Sequence, residues 1–232
     1  MTNGPKSLHD VKLFQSLSAD SIARIEQMSG WRTYKANQPI ISFQDTSTNV
    51  LILIDGHARI VIYSPDGKVV SFRDIGPGEM FGEFAAIDQG PRSASIEALE
   101  TCTIASIPGE TFRNFLLEEP AVMMELLRHL VAEVRRLTNR IYEFSAFAVR
   151  NRIQAELLRL AKETSQDEES ILIRPAPTHS DIASRISTHR EAVSREISRL
   201  SKMGLIEKVG RDIRITDVSQ LEELVHEATG ED

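Results

Sequence analysis

The chain has 232 residues, of which 41% are hydrophobic and 26% charged, and a formal net charge of −7. That mixture excludes a largely disordered chain, and no apolar run approaches the ~20 residues of a membrane span. The single cysteine, Cys102, excludes an internal disulfide or a cysteine-ligated metal cluster and is read as a small core residue in TCTIASI.

The N-terminal MTNGPKSLHD carries no apolar signal core, so a cytoplasmic protein with no membrane partner is expected. Two domains fit this length. LSADSIARIEQM reads as a first helix, with Ser18 or Asp20 able to cap it. Trp31 to Ile107 then read as short strands. In NVLILIDGHARIVIYSPDGKVVSF, Asp55-Gly56 and Asp66-Gly67 each sit between β-branched runs, and Asp-Gly predicts hairpin turns because both positions tolerate positive φ. A β-barrel or roll is expected.

Within it, FGEFAAIDQGPRSASIEA is the most informative stretch. Gly82, Glu83, Phe84 and Ala85 begin a single helical turn whose free amide groups attract an anion. Nine residues beyond Glu83, after the turn formers Asp88 to Pro91, Arg92 and Ser93 enter a new strand. A guanidinium and a hydroxyl beside free amides make a site for one phosphate. Glu83 adds an acceptor for a sugar hydroxyl, and Arg92 offsets its charge.

From Pro120 the period is helical. Apolar residues recur at Met123, Leu127, Leu130, Val134, Leu137, Ile141 and Phe144, the spacing of a coiled-coil seam, which predicts self-association along this helix. A second helix, VRNRIQAELLRLAKET, carries an apolar face at Ile153, Leu157, Leu158, Leu160 and Ala161, and the break near Ser145 to Val149 reads as a hinge.

From Leu172 the pattern is strand, two helices (THSDIASRIS and THREAVSREISRLSKMG), then a hairpin wing in LIEKVGRDIRIT that turns at Gly210 to Asp212. Thr178 and Thr188 are each followed three residues later by an acid, Asp181 and Glu191, so each helix is expected to open with a capping box. Ile182, Ala183 and Ile186 of the first helix pack against Ala192, Val193, Ile197 and Leu200 of the second, leaving Arg190, Glu191, Ser194, Arg195 and Arg199 on a polar face. Arginine pairs bidentately with guanine and a carboxylate accepts from cytosine, chemistry suited to reading base edges. Between Thr178 and Arg214, eight basic residues stand against five acidic ones, a local balance of +3 inside an acidic chain. Acidity gathers instead in QDEES at 166–170 and in the tail from Glu222 to Asp232, both read as solvated charge.

Nothing points to an enzyme or a metal site. His9, His57, His129, His179, His189 and His226 show no ligand spacing, and Ser93 has no histidine base nearby in sequence. His179 and His189 are expected at most to touch phosphate.

The cassette and the helix pair together resemble the Crp-Fnr family of transcription regulators, in particular its cyclic-AMP receptors, over nearly the whole chain. The resemblance implies an α+β fold: a cyclic-nucleotide-binding β-roll over residues 1–120, a long dimerisation helix and hinge over 121–148, and a winged helix-turn-helix over 149–232. It implies that Glu83 bonds the ribose 2′-hydroxyl, that Arg92 and Ser93 bind the cyclic phosphate, and that Gly82, Phe84 and Ala85 form the cassette. Thr138 aligns with a hydroxyl that contacts the purine. Leu137 departs from the family's hydroxyl pair there, with Asn139 a possible substitute, and Arg73 lies either near the base or on a solvent-facing strand. Cyclic AMP is expected first and cyclic GMP second. Arg190, Glu191 and Arg195 are expected to read TGTGA-type half-sites, with Thr178, Thr188, His189, Ser194 and Arg199 completing the DNA face of a homodimer that also meets RNA polymerase. A family member answering to haem or a redox cofactor is the competing input, disfavoured by the lone cysteine and the intact Glu83, Arg92 and Ser93.

Overall fold

The computed structural model describes residues 7–64, 69–165 and 170–227. The chain divides into two compact units, Met1–Glu133 and Val134–Asp232. Helix α1 of the first unit (Ala19–Gln27) opens on Ser18, whose side chain accepts from the Ser21 amide and so decides between the two candidate caps.

Eight strands follow: β1 (Gly30–Tyr34), β2 (Pro39–Ile41), β3 (Val50–Asp55), β4 (Ala58–Tyr63), β5 (Val69–Ile75), β6 (Met80–Phe81), β7 (Ser95–Ala98) and β8 (Cys102–Ile107). They form two antiparallel four-stranded sheets, ordered β1-β8-β3-β6 and β2-β7-β4-β5. The run VLILI in β3 is continuously apolar because both faces are covered. Leu51 and Leu53 join Phe81, Ile96 and Ile104 in one core, whereas Val50, Ile52 and Ile54 pack with Phe14, Phe112 and Val122 in another.

This topology corrects one expectation. Asp55-Gly56 is not a hairpin turn, because β3 and β4 belong to different sheets. Gly56 instead carries the chain around a corner at φ +88°, so tightly that a Cβ there would lie 2.4 Å from the Thr101 carbonyl. The strands flanking Asp66-Gly67 do pair, Tyr63 opposite Val69, while the turn itself lies outside the described residues.

A short helix α2 (Glu83–Asp88) precedes β7, and a further helix the periodicity did not isolate, α3 (Gly109–Glu118), buries Phe112, Phe115 and Leu116. The long helix α4 (Pro120–Ala146) begins as expected. Of the expected seam, Met123 and Leu130 pack against the first unit's own core, while Leu127, Val134, Leu137, Ile141 and Phe144 stand exposed together with Met124 and Val131. The early turns of α4 therefore serve the core of the first unit.

In the second unit, α5 (Val149–Thr164) follows the end of α4 after a break at Phe147 and Ala148. Strand β9 (Ile171–Ile173), helices α6 (His179–Arg185) and α7 (Arg190–Lys202), and the hairpin β10 (Ile206–Val209) and β11 (Asp212–Ile215) come next, with β11 between β10 and β9. The apolar residues expected to join the two helices do so: Ile182, Ile186, Val193 and Leu200 are all 0% exposed. Helix α8 (Val218–Glu227) buries Val218 and Leu221 in the same core, while Glu223 and Glu227 of the acidic tail stand exposed. Residues 166–169 and 228–232 of the two acidic stretches lie outside the described residues.

Candidate functional site

The cassette is built around one glycine. Phe81 is pinned by pairing with Leu51 of β3, and the next residue, Gly82, caps α2 at φ +79°, a left-handed conformation that side chains resist. A Cβ on Gly82 would come within 2.4 Å of Arg92 Nη1. That proximity is used: Arg92 Nη1 donates to the Gly82 carbonyl at 2.8 Å, Nη2 to the Asn49 carbonyl at 2.8 Å, and Nε to the Ser47 hydroxyl at 3.2 Å. The Arg92 backbone is held as firmly, its N–H donating to the Asp45 carbonyl and its carbonyl accepting from the Gln44 N–H.

Arg92 is 3% exposed, yet every one of these side-chain partners is neutral, and among the described residues it forms no ion pair. Burial lowers its proton affinity, opposed by the nearby charges of Asp45 and Glu83. Asp45 is itself held below the ordinary carboxylate range by hydrogen bonding from Ser47. A buried cation whose hydrogen-bond partners are all neutral is a costly arrangement that an anion would offset.

Glu83 and Ala85 are buried, Phe84 is 43% exposed, and Ser93 lies exposed in the loop before β7 rather than within the strand. Glu83 meets a residue that the sequence did not single out, His129 of α4, whose Nε2 lies 3.8 Å from Glu83 Oε1. Arg73 is not a solvent-facing strand residue. It is caught between Glu79, bonded through Nη1, and Glu133 of α4, 3.5 Å from Nε. Two residues earlier, the Ser71 hydroxyl is buried and has no hydrogen-bond partner among the described residues. Thr138 and Asn139 fall in the second unit on an exposed turn, where the Thr138 hydroxyl donates to the Val134 carbonyl at 2.9 Å.

The second unit presents the helix pair. Thr178 forms the full capping box with Asp181. The matching box expected at Thr188 is absent: Ser187 turns the chain at φ +50°, the N-cap of α7 falls on His189, and no side chain caps it. Arg190, Glu191 and Arg195 are exposed, and neither arginine forms an ion pair among the described residues. Ser194 is engaged by His179, Nδ1 to Oγ 2.7 Å, and Arg199 by Glu196, Nη2 to Oε1 2.8 Å. Thr188 is half-buried and His189 exposed.

Behind that face lies a buried charge network joining the end of α4 to the helix pair. Glu156 of α5 accepts from Arg140 at 3.0 Å, from Arg185 at 3.2 Å and from Arg159. Arg140 also donates to the Arg185 carbonyl at 2.6 Å, and Gln154 to Glu196 of α7 at 2.7 Å. Sequence reading passed over these residues because nothing local distinguishes them from solvated charges on a helix face.

Comparison with known proteins assigns both regions. Residues 31–119 match the cyclic nucleotide-binding domain family, and residues 151–224 match the Crp-like helix-turn-helix domain family. The CRP-like cAMP-activated global transcriptional regulator of Mycobacterium tuberculosis is 25% identical over 210 residues, 90% of this chain and 94% of the relative. The cAMP-activated global transcriptional regulator CRP of Haemophilus influenzae is 28% identical over 185 residues, 78% of this chain and 81% of that one. Among solved structures, a CooA variant from Carboxydothermus hydrogenoformans superposes with a TM-score of 0.80 at 20% identity, covering 93% of this chain and 96% of its own.

Proposed function

Because this chain belongs to the Crp-Fnr family, whose members are transcription regulators rather than enzymes, we propose that its effector is cyclic AMP, with cyclic GMP the second candidate, and that the effector enables a homodimer to bind palindromic TGTGA-type DNA. The observation that carries the reading is Arg92: a guanidinium 3% exposed, fixed by three neutral oxygens and without an ion pair among the described residues. A cyclic phosphate supplies that anion, with Ser93 as a second donor and the Gly82–Ala85 turn as its cradle. Glu83 takes the ribose 2′-hydroxyl. Arg73, Thr138 and Asn139 address the purine.

The roles divide along the chain, with nucleotide binding over residues 1–120, dimerisation and hinge over 121–148 and DNA binding over 149–232. The exposed apolar stripe of α4 is the dimer seam, and Thr138, lying beside it, reports occupancy. Arg190, Glu191 and Arg195 read bases. Thr178, Thr188, His189, Ser194 and Arg199 contact or orient the DNA backbone. The two recognition helices must stand about one DNA turn, ~34 Å, apart, so a small rotation at the hinge switches affinity. RNA polymerase is the downstream partner and the cytoplasm the compartment.

Titration calorimetry of the purified chain tests the ligand. Micromolar binding of cyclic AMP, weaker binding of cyclic GMP, and loss of both in R92L are expected. Equal or absent binding in the unsubstituted chain and R92L contradicts the assignment of Arg92.

A further inference from the structure

The inference rests on reading the cassette as the nucleotide site and concerns the residue that holds its carboxylate. Glu83 has a side chain only 9% exposed, and the His129 ring reaches it, Nε2 to Oε1 3.8 Å. His129 belongs to the long helix and not to the cassette. One turn further along α4, Glu133 is paired with Arg73 of β5 at 3.5 Å, and Arg73 is bonded to Glu79. A continuous row of opposite charges thus runs from Glu83 through His129, Glu133 and Arg73 to Glu79. His129 also borders a cavity of about 600 Å³, on whose wall stand Glu79, Glu125, Arg128 and Lys12, so its ring has a route for proton exchange.

We propose that His129 is a positioning residue for Glu83 and couples nucleotide binding to proton uptake, the imidazolium form of the site binding the anionic nucleotide more tightly than the neutral form. The charge balance gives the reason. A carboxylate at Glu83 is the stronger acceptor for a sugar hydroxyl, yet it stands in a pocket that receives a phosphate anion. An imidazolium on one carboxylate oxygen offsets that repulsion and leaves the other oxygen for the sugar.

The adjacent Glu83 carboxylate, then the charge of Glu133, raises the His129 ring above the ordinary imidazole value, opposed by burial and Arg73. The arriving phosphate raises it further. Between the free and bound values, binding takes up a proton and affinity falls as pH rises; outside that window affinity is level.

Calorimetry of cyclic AMP binding to the full chain at about pH 6 and about pH 9, and at intermediate pH in two buffers of different ionisation enthalpy, tests this. The expected result is roughly tenfold weaker binding at the higher pH, where ten-fold corresponds to ~1.4 kcal/mol, and a heat that varies with the buffer. H129Q is expected to bind weakly at both pH values with no buffer-dependent heat, and H129K, which keeps the charge, tightly at both. A flat profile in the unsubstituted protein, or a pH dependence that persists in H129Q, overturns the role of His129. Should H129Q fail to fold, H129K decides: retention of the original pH dependence overturns the proposal. Absence of binding by the unsubstituted, folded protein at every pH overturns the nucleotide reading itself, and this inference with it.

Discussion

Arg92 Nη1 donates a 2.8 Å hydrogen bond to the carbonyl of Gly82, and a methyl group placed on Gly82 would stand 2.4 Å from that nitrogen. Glycine and arginine are therefore one unit in the cassette. G82A is expected to cost ~1–3 kcal/mol of stability, since φ is +79° there, and to weaken cyclic-nucleotide binding at least tenfold by displacing the guanidinium. Calorimetry alongside urea denaturation checks both. Unchanged affinity in G82A separates the pair.

R92L removes the guanidinium assigned to the anion and leaves a shorter, apolar side chain that reaches none of its three oxygen partners. Binding is expected to fall about a hundredfold, ~2.7 kcal/mol, as charged hydrogen bonds are lost. The fold is expected to persist, because the lost cation was itself costly to bury. Near-ultraviolet circular dichroism distinguishes this from general unfolding.

The sequence made some of this legible and not the rest, for identifiable reasons. Gly82, Glu83 and Arg92 were found because ten residues bring them together around one turn. Ser47 and Asn49, which hold Arg92, lie over 40 residues earlier across a sheet pairing that no local pattern encodes. Nothing in the sequence around His129 marks it beyond the lack of metal spacing, since its partner Glu83 is on another element. The apolar positions mark the helix pair, but the Thr188 spacing points to a cap that is not there, because Ser187 adopts a left-handed turn and moves the helix start by one residue. Likewise, Asp55-Gly56 carries a hairpin's local chemistry, while the partner of β4 is chosen by the sheets.

The caps make a paired prediction. T178A is expected to cost ~1 kcal/mol of stability, because its hydroxyl caps α6. T188A is expected to cost within ~0.5 kcal/mol, as it caps nothing. Chemical denaturation of the two variants gives the comparison, and equal losses contradict the assigned helix start.

Glu156 is the shared acceptor of Arg140, Arg159 and Arg185, with a side chain 3% exposed. E156A leaves buried cations without their counter-ion and is expected to destabilise the second unit by ~3–5 kcal/mol. A denaturation midpoint unchanged from the unsubstituted chain places that network outside the stability of the fold.

Two histidines titrate in opposite directions. Burial, then the charges of Arg190 and Lys208, hold His179 below the ordinary imidazole value, whereas Glu83 holds His129 above it. For His179 the unfolded chain binds more protons than the fold between its folded value and ~6.5, so its contribution destabilises as pH falls through that window. For His129 the stabilisation is complete below ~6.5 and disappears as pH rises through the folded value. Ring-proton titration by NMR is expected to place His179 below His129; the reverse order contradicts both environments.

The central claim joins the two halves: an anion delivered to Arg92 changes what Arg190 and Arg195 can grip. Fluorescence anisotropy on a palindromic TGTGA duplex, with and without saturating cyclic AMP, measures that junction directly. At least hundredfold tighter binding with nucleotide is predicted, lost in R92L and, on the DNA side, in R195A. Equal affinity with and without nucleotide in the unsubstituted protein contradicts the account.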